Sequence, residues 1–255
     1  MIEMKDISVM FKIPHQKKTT LFETISGLLT LKRYTYTEFL ALRNVTLSVA
    51  KGETLGIIGE NGSGKSTLLK LIAGIIKQDS GKISVEGKVT PFIELGAGFE
   101  PELSVKDNIF LYGAIMGMKK REIEKQLPSI FEFSELQEFE DSKLRTLSSG
   151  MVMRLAFSTA INVNPDILLI DEVFAVGDES FQKKCFEKFE EFKKTGKTIL
   201  FVSHSLPVVQ RMCEKSIFLH KGEIVMKGES EKVINSYLGI LDIKIVRNAI
   251  ERLDE

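Results

Sequence analysis

Eight consecutive residues, Gly59-Glu60-Asn61-Gly62-Ser63-Gly64-Lys65-Ser66, followed by Thr67, match the spacing G-x-x-x-x-G-K-[ST] at every fixed position. That spacing is suited to binding a chain of phosphates. Glycines at 59, 62 and 64 let the backbone curl with its N–H groups turned inward, and a helix starting at the lysine adds the positive end of its dipole. Lys65 would reach the β- and γ-phosphates. Ser66 would offer Mg²⁺ a hard oxygen ligand. Asn61 and Thr67 complete the candidate phosphate-binding set. The apolar run Glu53 to Ile58 before the loop reads as a strand, and Leu68 to Ala73 after it reads as a helix, which is the setting the motif requires.

A second group can work on the bound phosphates. Asp166-Ile167-Leu168-Leu169-Ile170-Asp171-Glu172 is an apolar strand ending in two carboxylates. In a parallel sheet Asp171 would sit at the strand's C-terminal edge, beside the phosphate loop, and bind Mg²⁺ directly or through water. Glu172 points to the opposite face and could polarise an attacking water.

The elements that must hold these groups read as follows. Strands are expected at residues 7–12, 42–49, 53–58, 166–171 and 198–202, with two short strands in 82–93 broken at Gly87-Lys88. Residues 216–219 and 223–226 pair around the turn Lys221-Gly222. From about Leu103 to Ala160 the pattern is helical, and a further helix covers Phe181 to Lys194. Unbroken apolar strands alternating with helices imply a parallel, doubly covered sheet. Residues 230–255 read as one or two amphipathic helices. Residues 14–37 carry Lys17, Lys18, Lys32 and Arg33 around a greasy middle, Leu21 to Leu29. They read as a surface hairpin extension or as a docking element for a partner or lipid headgroups.

Composition narrows the class. Lysine plus arginine (35) equals aspartate plus glutamate (35), so no global basic field is present to hold nucleic acid. The apolar share of 43% is that of a globular protein. Cys185 and Cys213 stand far apart without C-x-x-C spacing, which speaks against zinc or a disulfide framework and fits a reducing cytoplasm. The N-terminal residues lack the apolar core of a signal peptide, and no apolar run is long enough to cross a bilayer.

Leu147-Ser148-Ser149-Gly150-Met151 opens a helix that continues through Arg154 to Ser158. Alone it is a serine-capped helix start. With the phosphate loop before it and the acidic pair about twenty residues after it, the chain resembles the ATP-binding cassette (ABC) ATPases, whose signature is usually L-S-G-G-Q. Ser148 and Gly150 match that pattern; Ser149 and Met151 depart from it. The resemblance implies an α/β fold of the P-loop NTPase kind: a parallel core sheet, an antiparallel β subdomain and an inserted helical subdomain at about 100–160. The cassette would occupy 1–240, with 241–255 a helical tail or the start of a linker. It also implies a head-to-tail homodimer holding two ATPs, in which Ser148 and Gly150 cap the γ-phosphate bound by the other copy.

Further positions follow from the same resemblance. His204, in Val202-Ser203-His204-Ser205, corresponds to the family's switch histidine, which touches the γ-phosphate and the attacking water. Asp178, six residues after Glu172, corresponds to the aspartate of the family's D-loop, which lies where the two copies meet. Tyr36, 29 residues before Lys65, is where an aromatic stacks on adenine, with Phe39 and Tyr34 as near rivals. Glu94 stands where the family has a glutamine, and its carboxylate can ligate Mg²⁺ as well as the amide does.

The run Glu94 to Phe99, the signature, and Asp171-Glu172-Val173-Phe174-Ala175-Val176-Gly177-Asp178 are together similar to one branch, the polysaccharide exporters for O-antigen, capsule and teichoic acid. That branch implies a cytoplasmic-side ATPase bound to a polytopic permease, with the lipid-linked glycan contacted mainly by the permease. A chromosome-structure or DNA-repair ATPase would place long heptads between phosphate loop and signature, and none appear. A tandem-cassette translation factor would carry a second phosphate loop. An ABC importer's ATPase is disfavoured by the branch motifs. The helical block is expected to dock the permease through Phe99, Leu103, Ile109, Phe110 and Tyr112, some of which must also serve as core.

Overall fold

The computed structural model describes residues 1–14, 36–93, 95–171 and 177–251. Two sheets organise it. Strands β1 (Ile2–Pro14), β2 (Tyr36–Val49) and β4 (Ser80–Val85) form an antiparallel sheet in the order β2-β1-β4. The second sheet is built from β3 (Thr54–Ile58), β5 (Val89–Phe92), β6 (Ile167–Asp171), β7 (Thr198–Val202), β8 (Lys215–His220) and β9 (Glu223–Glu229), in the order β5-β6-β7-β3-β8-β9. All its pairings are parallel except β8 with β9, the hairpin read from the sequence.

Burial explains the apolar strands. Along β6, Ile167 and Leu169 face one core, while Leu168 and Ile170 face another, so every position is covered. The first core lies between the two sheets and joins Ile2, Met4, Leu42 and Leu47 to Leu55, Ile57 and the helix α1 (Lys65–Ile72). The second lies on the far side, under α4 (Ser149–Ile161), α5 (Glu179–Lys194), α6 (Leu206–Met212) and α7 (Ser230–Glu251). It is rich in aromatics: the Phe157 ring lies 5.7–5.9 Å from those of Phe92, Phe133, Phe181 and Phe189. A third core belongs to the helical block, where Val105, Ile109, Ile130 and Leu155 bring α2 (Val105–Ile115) and α3 (Lys120–Ser134) onto α4.

The helical block begins at a tied loop. Buried Asn108 donates to the carbonyls of Glu100, Leu103 and Ser104 and accepts the Glu100 N–H at 2.7 Å. Ser104 caps α2 by accepting the Asp107 N–H.

Several boundaries differ from the sequence reading. The two strands of 82–93 both form, but they enter different sheets. β1 and β2 extend well beyond 7–12 and 42–49 because they pair along nearly their whole length, through Phe11↔Phe39 to Pro14↔Tyr36. α7 agrees with the first of the two forms read for 230–255, a single helix running from Ser230 to Glu251. Most of the extension expected at 14–37 falls outside the described residues, as do Tyr34, Glu94 and Glu172.

Candidate functional site

The C-terminal ends of β3, β6 and β7 lie side by side, since β7 pairs with both neighbours in parallel. This edge of an open α/β sheet is where ligands bind. β3 delivers the phosphate loop, β6 delivers Asp171, and β7 delivers His204 two residues after its end.

The loop is shaped to leave its amides open. Gly64 adopts φ 107° at the start of α1, and a Cβ there would sit 2.6 Å from the Ala41 carbonyl oxygen. Only glycine fits that conformation so close to another backbone. The N-cap of α1 is Gly64, which has no side chain to occupy the first amides, and the helix dipole lies behind them. Lys65 is only 6% exposed, and its Nζ donates to the carbonyls of Gly59 and Glu60, each at 2.8 Å. The ammonium is thereby held within the loop. Ser63 Oγ is buried and has no hydrogen-bond partner among the described residues.

A cavity of about 180 Å³ opens over this loop. Asn61, Gly62, Gly64, Lys65, Ser66, Thr67 and His204 line it, joined by Phe39 and Ala41 of β2. Cationic lysine, open amides and the exposed Ser66 hydroxyl suit a phosphate chain with a hard divalent cation. Asp171, half-buried at the end of β6, adds a carboxylate at the same sheet edge, though it does not line the cavity. A larger surface groove of about 1010 Å³ runs along α5 and α6, and none of its described lining residues comes from the phosphate loop.

Tyr36 does not line the cavity; Phe39 does. The ladder with β1 is regular from residue 36 to 40, so positions 36 and 39, three apart, point to opposite faces of the strand. Both rings are about half exposed, at 52% and 47%. Phe39→Ala is therefore expected to weaken ATP binding roughly tenfold, the loss of one aromatic–base stack of about 1–3 kcal/mol. Tyr36→Ala should stay within about threefold of wild type. Calorimetric titration of the two variants checks this, and the opposite ranking would return the role to Tyr36.

The signature residues lie apart from this cavity. Ser148 caps α4, accepting the Met151 N–H at 3.3 Å, and both Ser148 and Ser149 are exposed. Asp178 caps α5, accepting the Phe181 N–H at 2.9 Å. Arg154 joins the two, donating from Nη2 to Asp178 at 2.5 Å and from Nη1 to Glu135 at 2.9 Å. Its guanidinium lies 5.0 Å from the centroid of the Phe181 ring, and Lys184 also pairs with Glu135. The Asp178 carboxyl is held below its usual pKa, first by the Phe181 N–H, then by the Ser180 hydroxyl and Arg154. The sequence alone gives Arg154 no role. Its signal there is a lone cation in a helix otherwise apolar or small, which marks a charge that must find partners.

Of the residues expected to dock a membrane partner, Ile109 and Tyr112 are core. Burial raises the Tyr112 hydroxyl to about 12. Leu103 is exposed, and Phe99 and Phe110 are half-buried.

A phosphate loop opening a helix at the edge of a parallel sheet, with a helical block inserted before the acidic strand, defines an α/β nucleotide-binding ATPase. Residues 42–175 match the family described as ABC transporter. The chain is 46% identical over 200 residues to the O-antigen export system ATP-binding protein RfbB of Klebsiella pneumoniae, covering 78% of this chain and 81% of that one. It is 40% identical over 237 residues to the teichoic acids export ATP-binding protein TagH of Listeria innocua, covering 91% and 70%. Its fold matches a solved ATP binding subunit of an ABC transporter with a TM-score of 0.73 at 24% identity, over 96% of this chain and 99% of that chain. The chain belongs to the ABC transporter family, as its ATP-hydrolysing, ATP-binding component.

Proposed function

We propose that this chain is the nucleotide-binding subunit that powers export of a lipid-linked polysaccharide, of the O-antigen, capsule or teichoic acid type, through a separate membrane permease. One observation carries the ATP chemistry: the phosphate loop, His204 and Phe39 converge on one cavity, while exposed Ser148 and Asp178 and half-buried Gly150 stand at helix starts outside it. Half of each catalytic site is then supplied by a second copy of the chain. The cargo class rests on the relatives named for O-antigen and teichoic acid export.

In this reading Gly59, Asn61, Gly62, Gly64 and Thr67 wrap the phosphates, and Lys65 neutralises the β- and γ-phosphates. Phe39 forms the wall for adenine. Ser66, Asp171 and Glu94 would hold Mg²⁺, whose charge would offset that of the phosphates. Glu172 takes the proton of the attacking water, and His204 holds that water and the γ-phosphate in line. Ser148 and Gly150 close over the γ-phosphate from the partner copy, and Asp178 reaches across the interface. The cassette is assigned to 1–240 and the helical tail or linker start to 241–255.

No helix among the described residues is long and apolar enough to cross a membrane. Docking on the cytoplasmic face of the membrane is assigned to the helical block, through surface around Leu103 and Phe110. Reconstitution with the permease in liposomes tests the whole reading. Lipid-linked glycan should stimulate ATP hydrolysis and cross the bilayer only with ATP present. Glycan transport without ATP, or hydrolysis indifferent to both permease and glycan, would overturn it.

A further inference from the structure

We infer that the β8–β9 turn, Lys221-Gly222, is a positioning device that sets the spacing between the phosphate loop and the wall facing the base, and so governs how much affinity the adenine adds. This rests on the nucleotide reading of the cavity.

The turn touches both halves of the site through its backbone. Lys221 and Gly222 have φ of 47° and 82°, both positive, as a two-residue hairpin loop requires. The Gly222 N–H donates to the Ser63 carbonyl of the phosphate loop at 2.9 Å. The Gly222 carbonyl accepts the Arg43 N–H of β2 at 2.8 Å. One residue therefore bridges the loop and the strand that carries Phe39 and Ala41. The packing is close: a Cβ on Gly222 would lie 2.8 Å from the Ala41 carbonyl oxygen, and one on Gly64 would meet the same oxygen at 2.6 Å. The end of β8 continues the support along the loop. A Cβ on Gly59 would sit 2.2 Å from the Leu219 carbonyl oxygen, and His220 Nδ1 lies 3.7 Å from the Glu60 carboxylate. An Arg43–Glu223 ion pair at 3.4 Å spans the outer side of the turn.

A side chain at 222 must therefore push the turn and β2 apart, while the phosphate loop keeps its own glycines, lysine and helix. Phosphate binding should survive, and the contribution of the base should not. The comparison is between ADP and inorganic pyrophosphate, which share the phosphate contacts and differ in the base and sugar. In wild type, ADP should bind more tightly by at least about a hundredfold. In Gly222→Ala that ratio should fall about tenfold or more, with pyrophosphate affinity held within about threefold. An unchanged ratio overturns the inference. A parallel loss for both ligands also overturns it, since it would mark a merely structural turn. Wild type binding the two equally would overturn the adenine reading itself, and the inference with it.

A second measurement needs no variant. Pyrophosphate binding to the wild-type chain should slow hydrogen exchange at the Arg43 amide as well as at the Lys65 and Ser66 amides, because the bridge joins them. Slowing at Lys65 and Ser66 with no change at Arg43 would show that the turn transmits nothing.

Discussion

Lys65→Ala is expected to lower ATP affinity about 100-fold or more, on the order of 3 kcal/mol, the scale of a charge-assisted hydrogen bond lost at a desolvated site. The ammonium is nearly buried and already held by two carbonyls, so nothing else in the loop replaces its charge. Its removal also leaves the Gly59 and Glu60 carbonyls without that donor, which should cost stability of about 1–3 kcal/mol. Lys65→Met keeps the aliphatic stem and isolates the charge. A fluorescent ATP analogue gives the affinity, and a denaturant melt shows whether the variant is folded at the working temperature. Affinity within about threefold of wild type in a folded Lys65→Met protein would remove Lys65 from the phosphate site.

Glu172→Gln should leave ATP affinity within a few fold and lower turnover by about 10²- to 10⁴-fold, the usual reach of a general base. The amide keeps the size and hydrogen-bonding capacity of the carboxyl but cannot take a proton. Glu172 directly follows Asp171, the last residue of β6, whose neighbour Val202 leads to His204. Phosphate release under saturating ATP measures it. Near-normal turnover in the variant would pass the role of base to His204 or to another group.

The phosphate loop and the acidic strand were legible because their chemistry is local. Glycines, lysine and hydroxyls at fixed spacing define the loop, and an apolar run ending in carboxylates defines a buried strand with a polar end. The Ser148 cap was legible for the same reason. What sequence could not supply was pairing. Residues 36 and 37 fall in the extension read at 14–37, and 38–41 lie before the strand read at 42–49; Thr37 and Glu38 face solvent, and only the ladder with β1 makes the run a strand. The same ladder decides that Phe39, not Tyr36, lies over the cavity, which counting back from Lys65 cannot reveal. The division of 82–93 between two sheets is equally non-local. So is the Arg154 link between the signature helix, Glu135 and Asp178, residues separated by 19 and 24 positions. The bridge from Gly222 to Ser63 and Arg43 unites three segments distant in sequence.

The proposed composite site is shared by two copies of the chain. Its most direct test is the mass in solution of Glu172→Gln, measured by sedimentation with and without saturating ATP. The expected result is a single chain without nucleotide, a dimer with ATP, and a return to the single chain when Ser148→Arg is added to the same protein. A Glu172→Gln protein that binds ATP at full affinity yet remains a single chain at every concentration tested would contradict the composite site.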